Sequence, residues 1–170
     1  MREELGVQLH EPLCPWKLIE HLGYNVVKLS DFASREPEAV AYLTSGVGQT
    51  EFSAVTLPND GAPWIVHNDS HSTGRQGANL AHEAAHGLLC HQGSPLTDAR
   101  GARIFNREQE NEANWLGPAL LISDEAAIYI AQKRLSPAAA CHMYGVSNDL
   151  LQMRLWVSAA YTRVARSRAA

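Results

Sequence analysis

The run His82-Glu83-Ala84-Ala85-His86 has the residue types and the spacing of a hydrolytic metal centre. Two imidazoles at i and i+4 leave a helix on one face, with Cβ atoms roughly 5–6 Å apart. Both ring nitrogens can then reach one cation at about 2.0–2.1 Å. The carboxylate of Glu83 falls beside that cation rather than on it, placed to take a proton from water activated by the metal. The surrounding residues argue against two ordinary solvated histidines. Asn79, His82, Glu83, His86 and Cys90 share one stripe of the segment Asn79–Cys90, and nearly every other position is Ala or Leu. A helix that is apolar around most of its circumference is an interior helix. Its polar stripe needs partners, because unpaired polar groups are costly to bury. Zinc is the expected ion, with manganese as the alternative.

Two histidines do not complete such a site, since zinc hydrolases use three protein ligands and keep a further position for water. The leading candidate is Glu112, in Asn106-Arg107-Glu108-Gln109-Glu110-Asn111-Glu112-Ala113-Asn114-Trp115-Leu116. Projected at about 3.6 residues per turn, Ala113, Trp115, Leu116, Ala119 and Leu120 form the buried face, with Glu112 near its centre and Glu110 towards water. A carboxylate among core residues is tolerated only when paired or bound to metal. Glu108, one turn earlier, is the second candidate ligand, or else an acceptor for the free N–H of His82 or His86. The competing reading of Glu112 is a buried salt bridge to Arg75 or Arg103. Cys90 is a further thiolate candidate, against its reading as a small packing residue.

With these motifs in view, the chain resembles the ImmA/IrrE-type metallopeptidases, gluzincin-like intracellular proteases of bacteria and phages. The resemblance runs from about Ile65 to about Leu155. It rests on Ile65-Val66-His67-Asn68, on Leu80 to Leu89 around the histidine motif, and on Glu110-Asn111-Glu112-Ala113-Asn114 followed by Ala119-Leu120-Leu121-Ile122. It implies His82, His86 and Glu112 as metal ligands and Glu83 as catalytic base. It also implies a helix-turn-helix repressor or antitoxin as the protein substrate, cleaved to release a regulon or mobile element. Two departures stand out. Pro118 is expected to break or kink the helix one turn past Glu112. Leu116 stands where thermolysin-like gluzincins carry an Asp that orients a histidine, so the orienting group must come from elsewhere. The oxyanion-stabilising residue is open among His67, His71 and a tyrosine.

The 170 residues are 45% hydrophobic and 19% charged, with a net charge of −4, as in a globular protein of one domain. The expected division is a catalytic core over about 1–132 and a helical C-terminal subdomain over about 133–170. No apolar run has the length of a membrane span, and the opening residues lack a signal-peptide pattern. Cys14, Cys90 and Cys141 are odd in number and widely spaced, so no disulfide framework is expected. A cytoplasmic location follows as the expectation.

The elements that must position the motif read as α+β, with a small antiparallel sheet of about three strands before a mostly helical, zincin-like core. Pro12–Leu22 reads as a helix ended by Gly23, and Glu36–Thr44 as another. Tyr24–Leu29, Phe52–Leu57 and Trp64–Asn68 read as strands, the last two joined by the turn signal Pro58-Asn59-Asp60-Gly61. The edge of that sheet, at Trp64–Asn68, is expected to hold an extended substrate by backbone hydrogen bonds. The motif helix should stop near Gln92-Gly93, and a loop with Pro95 and Gly101 should lead to the Glu112 helix. Ser123 caps a helix through about Arg134. Ser136–Tyr144, Gly145-Val146-Ser147 and the segment from Asn148 form a helix-turn-helix-like pattern. Its second helix offers only Asn148, Gln152 and Arg154 to bases, fewer than specific readers present. Direct nucleic-acid binding is therefore not expected. The alternative from a different functional class is a non-catalytic, metal-dependent regulator that binds DNA or a partner protein through these C-terminal helices. Glu83 favours the enzyme, since a structural zinc site needs no base beside it.

Overall fold

The computed structural model describes residues 1–59, 61–91 and 106–169. Asp60, Gln92, Gly93, the loop with Pro95 and Gly101, and Arg103 lie outside these residues; the motif helix ends at Leu88, earlier than the expected stop near Gln92-Gly93. The fold is α+β, with a small sheet followed by a helix-rich core and C-terminal helices. Helix α1 (Pro15–His21) leads into strand β1 (Asn25–Lys28) and a 3₁₀ turn (Leu29–Phe32). Two short helices, α2 (Pro37–Leu43) and α3 (Gly48–Glu51), precede strands β2 (Ala54–Leu57) and β3 (Trp64–His67). The antiparallel pairing of β2 and β3 is the expected hairpin, in the register Thr56 opposite Ile65. β1 instead pairs parallel to β3, with Val26 opposite Ile65, so the sheet is mixed. The order β1-β3-β2 puts β3 in the centre and leaves β2 as an edge among the described residues. The expectation that Trp64–Asn68 forms the edge is therefore corrected: β3 is flanked on both sides because β1 joins it by a crossover rather than a hairpin.

The helix that carries the motif, α4 (Thr73–Leu88), begins at Ser72, whose hydroxyl caps the Arg75 N–H. It separates two apolar clusters. Leu80 and Ala84 face Leu18, Ile19, Ala54 and Ile65 of α1 and the sheet. Ala81 faces a larger cluster built from α5 (Arg107–Leu121), α6 (Asp124–Lys133), α7 (Pro137–Tyr144), α8 (Asn148–Val157) and α9 (Ala160–Ala169). Alanine on both faces lets neighbouring elements pack close to the α4 backbone.

α5 is capped by Asn106, whose side chain accepts from the Glu108 and Gln109 N–H groups, and it continues past Pro118 to Leu121. The break expected at Pro118 does not occur. Proline's fixed φ is compatible with a helix, and the carbonyl it leaves unbonded is that of Asn114. Asn114 and Pro118 both line an open groove rather than a packed interface. At the C-terminus, Gly145 (φ 64°) closes α7 and the Ser147 hydroxyl caps α8, as the sequence pattern requires. Arg154, expected on the exposed face of that helix, is instead buried. Its Nε donates to the Ile122 carbonyl at 2.8 Å and its guanidinium pairs with Asp124 at 2.8 Å. The α8 segment also stops at Val157, and Ala159 (φ 50°) turns the chain into α9. Among the described residues, no helix is long and apolar enough to cross a membrane.

Candidate metal centre

One turn of α4 aims His82 and His86 at a common point, with their Nε2 atoms 3.1 Å apart. The third group there is Glu110, whose Oε2 lies 3.2 Å from His82 Nε2 and 3.8 Å from His86 Nε2. Among the described residues, these three form the one cluster of His, Cys, Asp and Glu atoms close enough to share an ion. A tetrahedral ion with bonds of about 2.0–2.1 Å separates its ligand atoms by about 3.3 Å. The observed triangle brackets that value. Two imidazole lone pairs and a carboxylate oxygen converging so closely repel one another unless a cation or protons lie between them. The donor set therefore fits a divalent ion of zinc type.

Glu112 does not join this cluster. Its side chain is 54% exposed and accepts from His91 Nε2 at 2.8 Å, whereas Glu110 is 19% exposed. The expected orientation of α5 is thus corrected. The buried positions are Ala113, Gly117 and Leu121, a stripe at i, i+4 and i+8 that includes Glu110 one turn before Ala113. Trp115, placed on the buried face by helical projection, is 61% exposed. The contact face was instead marked by its smallest residue. A Cβ at Gly117 would lie 3.1 Å from His82 Cα and 3.2 Å from His82 N, so α5 touches the α4 backbone directly. Glu108 is exposed in the first turn of α5 and outside the cluster. Cys90 is exposed with φ 54°, so it neither packs in the core nor joins the three donors.

Glu83 is buried beside His82, between α4 and β2, and its Oε2 accepts from the Thr56 hydroxyl at 2.5 Å. His82, Glu83 and Glu110 open into one groove of ≈ 410 Å³. Its other walls are Thr50, Glu51, Ser53 and Ala54, at the entry to β2, and Ala78, Asn79, Asn114 and Pro118 from the two helices. The chain edge beside the cluster is therefore β2, not the Trp64–Asn68 segment. Asn79 approaches His71 Nδ1 at 3.5 Å, and His71 Nε2 donates to the Gln49 carbonyl at 3.0 Å.

The two histidines considered for oxyanion stabilisation lie in β3 and the loop after it. His67 is 2% exposed, and its Nδ1 has no hydrogen-bond partner among the described residues. Burial pushes its pKa down, and Lys28 adds to this, against the opposing pull of Asp69 and Asp31. Burial also lowers His71, with Arg75 acting in the same direction and the Gln49 carbonyl opposing it. Neither residue lines the groove. Tyr24 lies over Gly87, one turn of α4 beyond Glu83, its hydroxyl held above its ordinary pKa by burial and by the nearby Glu83 and Cys90.

A residue without an assigned role in the sequence proves to be part of the centre's surroundings. His91 Nδ1 lies 2.8 Å from His86 Nδ1, and its side chain is 8% exposed. Its signal was the end of the helix. Cys90 takes the left-handed conformation usual for glycine, and the His91 N–H returns to the His86 carbonyl at 3.0 Å.

Comparison with known proteins agrees with this geometry. The model of the IrrE N-terminal-like domain, a peptidase family, matches residues 20–155, and the chain belongs to that family. No curated protein and no solved structure matches the chain. Family membership and the His-His-Glu cluster together indicate a metal-dependent, peptidase-like active site.

Proposed function

We propose that this member of the family is a zinc-dependent endopeptidase, with His82, His86 and Glu110 as metal ligands and Glu83 as the catalytic base. The observation that carries the reading is the convergence of two imidazoles and a carboxylate at a groove that also holds a buried glutamate and runs along β2, an edge strand among the described residues. When bound, the ion would supply the Lewis acidity that polarises a scissile carbonyl and activates water. Glu83 takes the proton from that water and delivers it to the leaving amine. The Thr56 hydroxyl, donating to Glu83 Oε2, holds the carboxylate against β2 and towards the groove. Substrate adds to the β2 edge as an extended strand, its scissile bond carried past His82 and Glu83.

The substrate in this proposal is a helix-turn-helix repressor or antitoxin, cut in a linker or a locally unfolded stretch, because a folded helix cannot offer its backbone to a strand edge. The C-terminal helices serve as packing rather than as a DNA reader. Arg154 is committed to Ile122 and Asp124, and Gln152 donates to its neighbour Asn148. The apolar cluster also runs without interruption from α5 through α9, which supports one peptidase domain over 1–170.

Metal analysis and cleavage mapping test the reading together. Wild type should carry close to one zinc, and His82→Ala, His86→Ala and Glu110→Ala should each lose most of it at matched free zinc. Mass spectrometry of candidate repressors should show one internal cut that disappears in Glu83→Gln. Retention of zinc by Glu110→Ala would overturn the ligand assignment. A zinc-loaded wild type that cuts no extended peptide would favour the non-catalytic regulator.

A further inference from the structure

We propose that Glu112 and His91 form a positioning relay that fixes the tautomer and direction of His86. This rests on the proposed metal centre. Three rings and carboxylates are in series: Glu112 Oε2 to His91 Nε2 at 2.8 Å, His91 Nδ1 to His86 Nδ1 at 2.8 Å, and His86 Nε2 among the three converging donors. With both rings neutral and the carboxylate ionised, one proton arrangement satisfies these two contacts of His91. An ionised carboxylate accepts only, so His91 carries its proton on Nε2 and donates to Glu112. In the neutral ring, His91 Nδ1 is then an acceptor. His86 must donate to it from Nδ1, which leaves the lone pair of His86 on Nε2, facing Glu110 and His82. The outer carboxylate thereby selects the one tautomer of His86 that can bind an ion at the cluster.

The backbone supplies the geometry. α4 ends in a Schellman arrangement, with Cys90 N–H on the Gly87 carbonyl at 3.1 Å and His91 N–H on the His86 carbonyl at 3.0 Å. This cap brings the residue after the left-handed position back against the third residue from the helix end. Apolar residues usually meet there. Here the pair is His91 and His86, with ring centroids 4.9 Å apart and planes at 70°. The His91 ring is almost fully buried, so its orientation is set by packing as well as by its two hydrogen bonds. With Glu110 as the cluster carboxylate, the position four residues on is Asn114, an uncharged residue that lines the groove. Glu112, two residues earlier on the same helix, reaches His86 through His91.

Two measurements test the relay, one of which needs no metal. In ¹⁵N NMR of metal-free wild type at a pH where the histidines are neutral, His86 should be the Nδ1–H tautomer and His91 the Nε2–H tautomer. In His91→Phe, His86 should revert to a mixture dominated by Nε2–H, the form usual for free imidazole. In chelator competition, His91→Phe and Glu112→Ala should each bind zinc about 10–100-fold more weakly than wild type, with far-ultraviolet circular dichroism unchanged. Because the groups act in series, the double variant should be no weaker than His91→Phe alone. Glu112→Gln, which keeps an acceptor oxygen, should recover most of the loss seen in Glu112→Ala. If His91→Phe disturbs the fold, Glu112→Ala and Glu112→Gln decide the matter, since Glu112 is exposed. Zinc affinity within twofold of wild type in Glu112→Ala, or an Nε2–H His86 in the wild type, would overturn the relay while leaving the ligand set standing. Failure of wild type to bind zinc would sink the metal centre itself, and the tautomers would still decide whether the relay exists.

Discussion

The two site-bearing helices meet backbone to backbone at Gly117, and a single methyl group there should weaken metal binding without entering the centre. An added Cβ would lie 3.1 Å from His82 Cα, 3.2 Å from His82 N and 3.3 Å from Ala81 C, all backbone atoms that cannot rotate away. Ordinary contact begins at 3.4 Å, so α5 must move outward by about 0.3 Å or tilt. Glu110 lies seven residues earlier on the same rigid helix, a rise of about 10 Å. A displacement of that size exceeds the roughly 0.2 Å tolerance of metal–ligand distances. Two effects on stability oppose each other. Alanine in place of glycine within a helix contributes about 0.5–1 kcal/mol, and overpacking costs about 1–3 kcal/mol. Gly117→Ala should therefore lose about 2.5 kcal/mol of fold stability at most, while zinc affinity falls tenfold or more, equivalent to about 1.4 kcal/mol. Gly117→Val should extend both losses, and Trp115→Ala, on the exposed face, should change neither appreciably. Urea unfolding of the metal-free protein gives the first quantity and chelator competition the second. Wild-type zinc affinity in a folded Gly117→Ala would refute the argument that helix contact at this glycine sets the position of Glu110.

Two further outcomes follow from the site and its surroundings. Thr56→Val should retain zinc and fold but lower the cleavage rate, by less than Glu83→Gln, for which a loss of about 10²–10⁴-fold is expected. Equal rates for wild type and Thr56→Val in a peptide assay would mean that the Thr56 contact does not orient the base. His67 and His71 have folded pKa values pushed below the ordinary 6.5. As pH falls below about 6.5, the unfolded chain takes up protons that the folded state refuses, so their contribution is full above that value and is lost down to the depressed folded values. Urea midpoints of metal-free wild type should fall over this interval, and His67→Leu should flatten the decline; an unchanged slope in His67→Leu would exclude burial of the neutral ring as its cause.

The metal-binding motif of α4 was legible because helical spacing alone brings His82 and His86 to one point. Local chemistry also carried the capping of α6 and α8 by Ser123 and Ser147, and the pairing of β2 with β3. The parallel partner of β3 was not legible, because β1 is separated from it by α2, α3 and β2, and no local signal encodes a crossover. The face of α5 was misread for a physical reason. The helical projection was centred on the apolar run Trp115, Leu116, Ala119 and Leu120, whereas at a close helix crossing the contact belongs to the smallest residue, Gly117. The spacing Glu110, Ala113, Gly117, Leu121 held the answer, and it put Glu112 on the far side of the histidines. His91 was missed because its position depends on a left-handed cysteine, which sequence does not mark as it marks glycine.

The two sides of the centre are held by different physics, and this explains how α5 can reach it despite carrying both Gly117 and Pro118. Glycine lowers helix propensity and proline removes a backbone hydrogen bond, so together they should weaken the helix that supplies Glu110. Each residue meets a local requirement of the site. Gly117 lets α5 lie against the α4 backbone at His82. Pro118 removes the N–H that would bond the Asn114 carbonyl, and both residues line the groove rather than the core. On the other side, His86 depends on directional hydrogen bonds through His91 and on the cap that ends α4. Contact shape thus sets where Glu110 stands, and hydrogen bonding sets which nitrogen His86 presents. A centre held in both ways keeps its three donor atoms converged on one point.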